Sequence, residues 1–206
     1  MNQRELYQAL GVLRNRKEDW RANIPFVGTL IENQSPTITA KSLWMLGEMG
    51  LQHPEEIAPY VSRIASFMKS PDALLRERAL NALGRIGRAR FETIQANWEK
   101  MFEMAHDSNP RVRLAFIWAS ENIATNTPDI YGQHLPLYAE MLHDTDDKVR
   151  MEAPEMFRVL GKRRPKLVEP YIGQLRTLSE TDSNRVVRIH CLGAIRTAQS
   201  KAGAIK

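Results

Sequence analysis

The chain has 206 residues, 43% hydrophobic and 26% charged, a balance that buries a core and excludes an intrinsically disordered segment. No apolar run reaches the length of a membrane span, and the opening MNQRELYQALG lacks the basic-then-apolar pattern of a secretion signal. The single cysteine, Cys191, excludes an internal disulfide framework, so a cytoplasmic protein with no membrane contact is expected.

The formal charge of +5 is unevenly placed. Residues 1–149 carry 17 Lys+Arg against 19 Asp+Glu, a balance of −2, whereas residues 150–206 carry 12 against 5, a balance of +7. The basic excess therefore belongs to the last quarter of the chain.

In chain order, Leu6, Leu10 and Leu13 are spaced four and three apart and predict a helix over 3–15. Five mutually similar segments follow: SPTITAKSLWMLGEMG, DALLRERALNALGRIG, NPRVRLAFIWASENIA, DDKVRMEAPEMFRVLG and SNRVVRIHCLGAIRTA. Each carries an anchor after an aliphatic residue, at Thr39, Arg76, Arg113, Arg150 and Arg188, spaced 37, 37, 37 and 38 residues apart. Three past the anchor stand Ser42, Ala79, Phe116, Ala153 and Cys191; ten past it stand Met49, Ile86, Ile123, Leu160 and Ala198. Small or apolar residues recurring at steps of three and four make one buried face of an α-helix.

Eleven past the anchor come Gly50, Gly87 and Gly161, where a left-handed helix cap is expected. Ser35–Pro36 and Asn109–Pro110 read as a capping side chain followed by a first-turn proline. A second amphipathic stretch precedes each anchor, for instance Ile57, Val61, Ile64 and Met68, often with a proline near its start (Pro25, Pro59, Pro136, Pro170). Pro154 falls inside the fourth anchor-bearing helix, where a kink is expected. The expected organisation is a single domain over 1–206, with helix pairs at about 18–51, 54–88, 91–125, 128–162 and 165–200.

An Asp-containing turn, then Val-Arg, then a small-residue helix ending Ala-Leu-Gly-x-Ile-Gly resembles the HEAT repeat; Leu75 to Gly87 carries the pattern most completely. The resemblance, which covers the chain from about Trp20, implies an all-α fold. Its architecture would be a right-handed α-α superhelix, an armadillo/HEAT-type solenoid of about five helix pairs with an extra N-terminal helix. It also implies a structural ladder of Asp107, Asp144 and Asp182 with Arg76, Arg113, Arg150 and Arg188.

In such solenoids the second helices line a concave groove, and polar or aromatic positions there become candidate contacts. They are Trp44, Glu48, Asn81, Arg85 and Arg88 in the first two pairs, and Trp118, Glu121 and Asn122 in the third. Glu155, Arg158 and Lys162 in the fourth and Arg196 in the fifth complete the set. Stacking would bring Trp44, Glu48, Arg85 and Trp118 into one groove.

Such a groove suits a protein or peptide segment and describes a scaffold or adaptor without catalytic residues, cofactor or metal. The alternative is nucleic-acid binding by the basic end (Arg158, Lys162, Arg163, Arg164, Lys166, Arg196). The tryptophan–acid–arginine set also resembles HEAT-like alkylation-repair DNA glycosylases. Their catalytic acid and arginine fall about one position past the anchor, where this chain has Ala40, Glu77, Leu114, Met151 and Ile189.

Overall fold

The computed structural model describes residues 1–202, and no strand occurs among them. The helices are α1 (Gln3–Asn15), α2 (Trp20–Leu30), α3 (Pro36–Gln52), α4 (Pro54–Ile57), α5 (Val61–Ser66), α6 (Ala73–Ala89) and α7 (Gln95–Trp98). They continue as α8 (Pro110–Asn126), α9 (Leu135–Met141), α10 (Asp147–Arg163), α11 (Pro165–Val168), α12 (Ile172–Thr181) and α13 (Arg185–Ala202). The five anchor-bearing helices are α3, α6, α8, α10 and α13. Each is long and continuous, and the layer between them is broken into short α and 3-10 pieces. Proline explains much of that asymmetry: Pro59 and Pro170 sit in 3-10 turns and Pro136 in the first turn of α9, where a missing N–H costs least.

The helix over 3–15 is present as α1, started by a capping box in which the Asn2 side chain accepts from the Glu5 N–H and Glu5 accepts from the Asn2 N–H. The turns into the anchor helices share one wiring diagram. The side chain at the head of each turn accepts an amide two residues on: Asn33 from Ser35, Ser70 from Asp72, Asp107 from Asn109, Asp144 from Asp146 and Asp182 from Asn184. The anchor then donates to the carbonyl of that same head residue, six positions back, from Arg76, Arg113, Arg150 and Arg188 at 2.6–2.9 Å. Thr39, which departs from the arginine pattern, makes the same bond with its hydroxyl, to Asn33 at 3.1 Å.

Two expectations need correction. Among the described residues no glycine has positive φ, so Gly50, Gly87 and Gly161 are not left-handed caps: they lie inside α3, α6 and α10. Close packing explains two of them, because a Cβ on Gly50 would stand 2.5 Å from Ile86 and one on Gly161 3.1 Å from Ala198. Ser35 also makes no capping bond, while Asn109 accepts from the Arg111 N–H. At the expected kink, α10 passes through Pro154 as one helix from Asp147 to Arg163.

The chain divides into two compact units, one spanning Met1–Met104 and one beginning at Ala105. In the first, α3 packs along α6 with Leu43, Leu46, Met49, Leu80, Leu83 and Ile86 fully buried. A Cβ on Gly47 would meet the Ala82 Cα at 2.7 Å, so this glycine sets how closely the two helices approach. Trp20 is buried at the base of α1, its indole N–H donating to the Leu13 carbonyl at 2.8 Å.

In the second unit α10 lies between α8 and α13. Its core stacks Phe116 on Tyr138, ring centres 5.5 Å apart, and the Tyr138 hydroxyl donates to Ser120 Oγ at 2.7 Å. Two rungs of the expected ladder cross the repeats here: Arg113 grips Asp144 with two bonds of 2.7 Å, and Arg150 reaches Asp182 at 3.2 Å. Burial would push the Asp144 carboxyl up, but the Arg113 guanidinium and the Asp146 amide hold it below the usual range.

Candidate functional site

Both units present an open pocket on the face of their anchor helices; Trp44, five positions past its anchor, lines the first, and Trp118, at the same register position, meets Glu152 of the second. In the first unit a pocket of about 530 Å³ is formed by Tyr7 and Arg14 of α1, Ala40, Lys41 and Trp44 of α3, and Leu74 and Arg78 of α6. Lys41 Nζ donates to the Tyr7 carbonyl at 2.9 Å and lies 3.6 Å from the centre of the Tyr7 ring. The Arg14 guanidinium sits over the Trp44 ring at 5.5 Å. Burial, reinforced by Arg14, holds the Lys41 ammonium below its ordinary pKa, as expected where positive groups are gathered without a counter-ion.

Glu48 and Arg85, which share a repeat position, are brought together as a 2.6 Å ion pair, so this carboxylate is neutralised from within. Asn81 is buried and its carbonyl accepts from Arg85 at 3.2 Å. Arg88 is exposed at the end of α6.

The pocket of the second unit gathers carboxylates instead. A pocket of about 380 Å³ is lined by Glu152, Glu155 and Arg158 of α10 and by Ile189, His190 and Gly193 of α13. Trp118, 40% exposed on α8, donates its indole N–H to the Glu152 carboxylate. Glu155 is only 9% exposed; it accepts from Arg158 Nε at 2.5 Å and lies 3.4 Å from His190 Nδ1, which itself contacts the Met151 carbonyl at 2.7 Å.

Beside them Glu121 has one carboxyl oxygen buried with no hydrogen-bond partner. Burial first, then the neighbouring Glu152 and Glu155, push its pKa up to about 9, with Arg158 offsetting only part of the effect. Burial raises Glu152 as well, against the Trp118 hydrogen bond. Asn122 is half-buried and donates to the Trp118 carbonyl at 2.9 Å. Among the described residues, no group of three or more His, Cys, Asp or Glu side chains is placed to hold a metal ion.

The basic end divides into engaged and exposed groups. Arg158 pairs with Glu155, Arg163 donates to the Thr125 carbonyl, and Arg164 grips Asp129 with bonds of 2.5 and 2.8 Å. Lys162, Lys166 and Arg196 are exposed. Among the described residues no helix is long and apolar enough to cross a membrane.

Sequence reasoning missed the column two past the anchor, which reads Lys41, Arg78, Ala115, Glu152 and His190. That column puts two cations in the first pocket and a carboxylate and an imidazole in the second. The 37-residue register already contained this signal. Tyr7 and Arg14 carried none, because they lie on α1, outside the repeat.

Residues 32–196 match the family model described as "Sister chromatid cohesion protein PDS5 protein". The chain belongs to this family. Solved structures with the same fold include designed repeat proteins. A designed armadillo repeat protein in complex with the peptide (KR)4 superposes with a TM-score of 0.72 at 18% identity, covering 96% of this chain and 94% of the other. A second designed armadillo repeat protein gives 0.68 at 15% identity, with 96% and 94% covered. A structure described as computationally designed armadillo repeat proteins for modular peptide recognition gives 0.64 at 15%, with 95% and 94% covered. At these identities the likeness establishes the all-α repeat fold. A search of the curated proteins finds no match.

Proposed function

We propose that the chain is a protein-interaction module, a scaffold or adaptor that takes a partner's peptide segment on the faces of its anchor helices. The observation that carries this reading is Trp118. It is a large aromatic side chain, 40% exposed to water and hydrogen-bonded to Glu152, which lines an open pocket. Indoles in such positions dominate binding energies because they combine large apolar area with few rotatable bonds. Trp44 stands at the same register position in the first unit and lines its pocket, with the Arg14 guanidinium over its ring.

The designed armadillo protein in complex with (KR)4 supports the reading, since the same fold there holds a peptide. Trp44, Trp118, Arg88, Lys162 and Arg196 are the proposed contacts from the sequence set. Glu48, Arg85, Glu155 and Arg158 act within the chain, shaping the surface around them.

Selection of a displayed library of short random peptides tests the proposal. Wild type should enrich related sequences, and a Trp44→Ala/Trp118→Ala double variant that melts with the wild type should lose them. Failure of the folded wild type to enrich any sequence would refute it.

A further inference from the structure

The pocket between α1, α3 and α6 concentrates positive charge that the chain leaves largely uncompensated. Lys41 is fixed by the Tyr7 carbonyl and ring, and Arg14 by the Trp44 ring, so both cations are held in place by groups that do not neutralise them. Among the described residues no carboxylate lies within ion-pair distance of either. Arg78 stands at the same repeat position as Lys41 on the adjacent helix, and its one ion pair is a loose 3.5 Å contact with its neighbour Glu77. Leu74, 38% exposed, adds an apolar surface to the same pocket.

A pocket of about 530 Å³ is within the range of small-molecule sites and admits a few side chains of an extended segment. The field around it is nearly neutral: residues 1–104 hold 14 Lys+Arg and 12 Asp+Glu, a balance of +2. A polyanion is drawn by a broad basic surface, whereas three clustered cations in a neutral setting suit a single anionic side chain.

We infer that this pocket receives an aspartate or glutamate of the partner segment. Its carboxylate is bound among Arg14, Lys41 and Arg78, and an adjoining apolar residue packs against Leu74 and Trp44. The inference rests on the reading of the anchor-helix face as a peptide-docking surface and assigns that surface's first unit its ligand chemistry. Arginine can meet a carboxylate with two parallel hydrogen bonds, and the ring-bound lysine supplies a third donor without first leaving a protein partner.

The test uses fluorescein-labelled peptides of equal length that alternate leucine with glutamate, glutamine or lysine, followed by anisotropy with the full chain. The glutamate peptide should bind at least about tenfold more tightly than the glutamine peptide, and more weakly as salt rises. Arg78→Gln and Lys41→Gln should each remove about tenfold of that preference, while Arg176→Gln, exposed on α12, leaves it unchanged. Arg78→Gln keeps the test decisive should Lys41→Gln loosen α1.

Equal binding of the glutamate and glutamine peptides, or a glutamate preference untouched by Arg78→Gln, overturns the inference while leaving the docking surface standing. So does a duplex DNA fragment that binds more tightly than the glutamate peptide and displaces it. Failure of all three peptides to bind, together with an empty library selection, overturns the docking reading as well.

Discussion

Replacing Glu121 by glutamine should make the protein more stable at neutral pH, with an advantage that grows as pH rises. The folded protein keeps Glu121 protonated up to about pH 9, because burial and the adjacent Glu152 and Glu155 oppose its charge. In the unfolded chain the same carboxyl releases its proton near 4.5. Unfolding therefore releases a proton throughout the interval between those values, and rising pH favours the unfolded state. This stability is fully present below about 4.5 and is lost as pH climbs toward 9. One proton is worth about 1.4 kcal/mol per pH unit, so the step from about pH 5.5 to about pH 7.5 should cost the wild type roughly 2–3 kcal/mol from this group.

Glutamine has the same shape and no proton to lose, so Glu121→Gln should be spared that loss. Urea unfolding followed by far-ultraviolet circular dichroism at the two pH values measures it. If Glu121→Gln loses as much stability between them as the wild type does, the buried, unpartnered carboxyl is not protonated in the fold, and the description of the acidic pocket fails.

Three further outcomes follow from the packing. Gly47→Ala should destabilise by about 1–3 kcal/mol, because its Cβ would lie 2.7 Å from the Ala82 backbone; Gly173→Ala, with nothing within 4 Å, should be neutral or gain up to about 0.5 kcal/mol, and melting temperatures would show the opposite signs. Arg113→Ala should cost about 2–4 kcal/mol, since it strands the buried Asp144 carboxylate and frees the Asp107 carbonyl. Arg164→Ala, which breaks an exposed pair with Asp129, should be close to neutral in the same denaturation assay. Cys191, buried and pushed up to about 12 by burial and by Asp182, should resist iodoacetamide in the folded protein at mildly alkaline pH and label on unfolding, as read by intact mass.

Much of this protein was written in the sequence. The 37-residue spacing fixes which residues fall on the buried side of each anchor helix, because helical periodicity is local and hydrophobic burial follows it. The same spacing placed Glu48 beside Arg85 and Arg113 beside Asp144, since stacked repeats put equal positions, and turn and anchor positions, next to one another. Even the departure at Thr39 was decipherable in retrospect: a hydroxyl and a guanidinium can both reach back to the head of the turn.

The tertiary structure decided what the register leaves free. It showed that the glycines late in the helices serve close approach, a matter of distance between chains that no local pattern reports. It brought α1, which belongs to no repeat, against α3, and so turned Lys41 and Trp44 from members of a helix face into walls of a basic pocket. It also gave Glu121 one buried, unpartnered carboxyl oxygen beside two other carboxyls, a state set by neighbours on another helix. Charge in a folded protein depends on what surrounds it in three dimensions. The sequence could name the charged residues of the anchor-helix faces, and only the packing of the helices within each unit determined which of them pair within the chain.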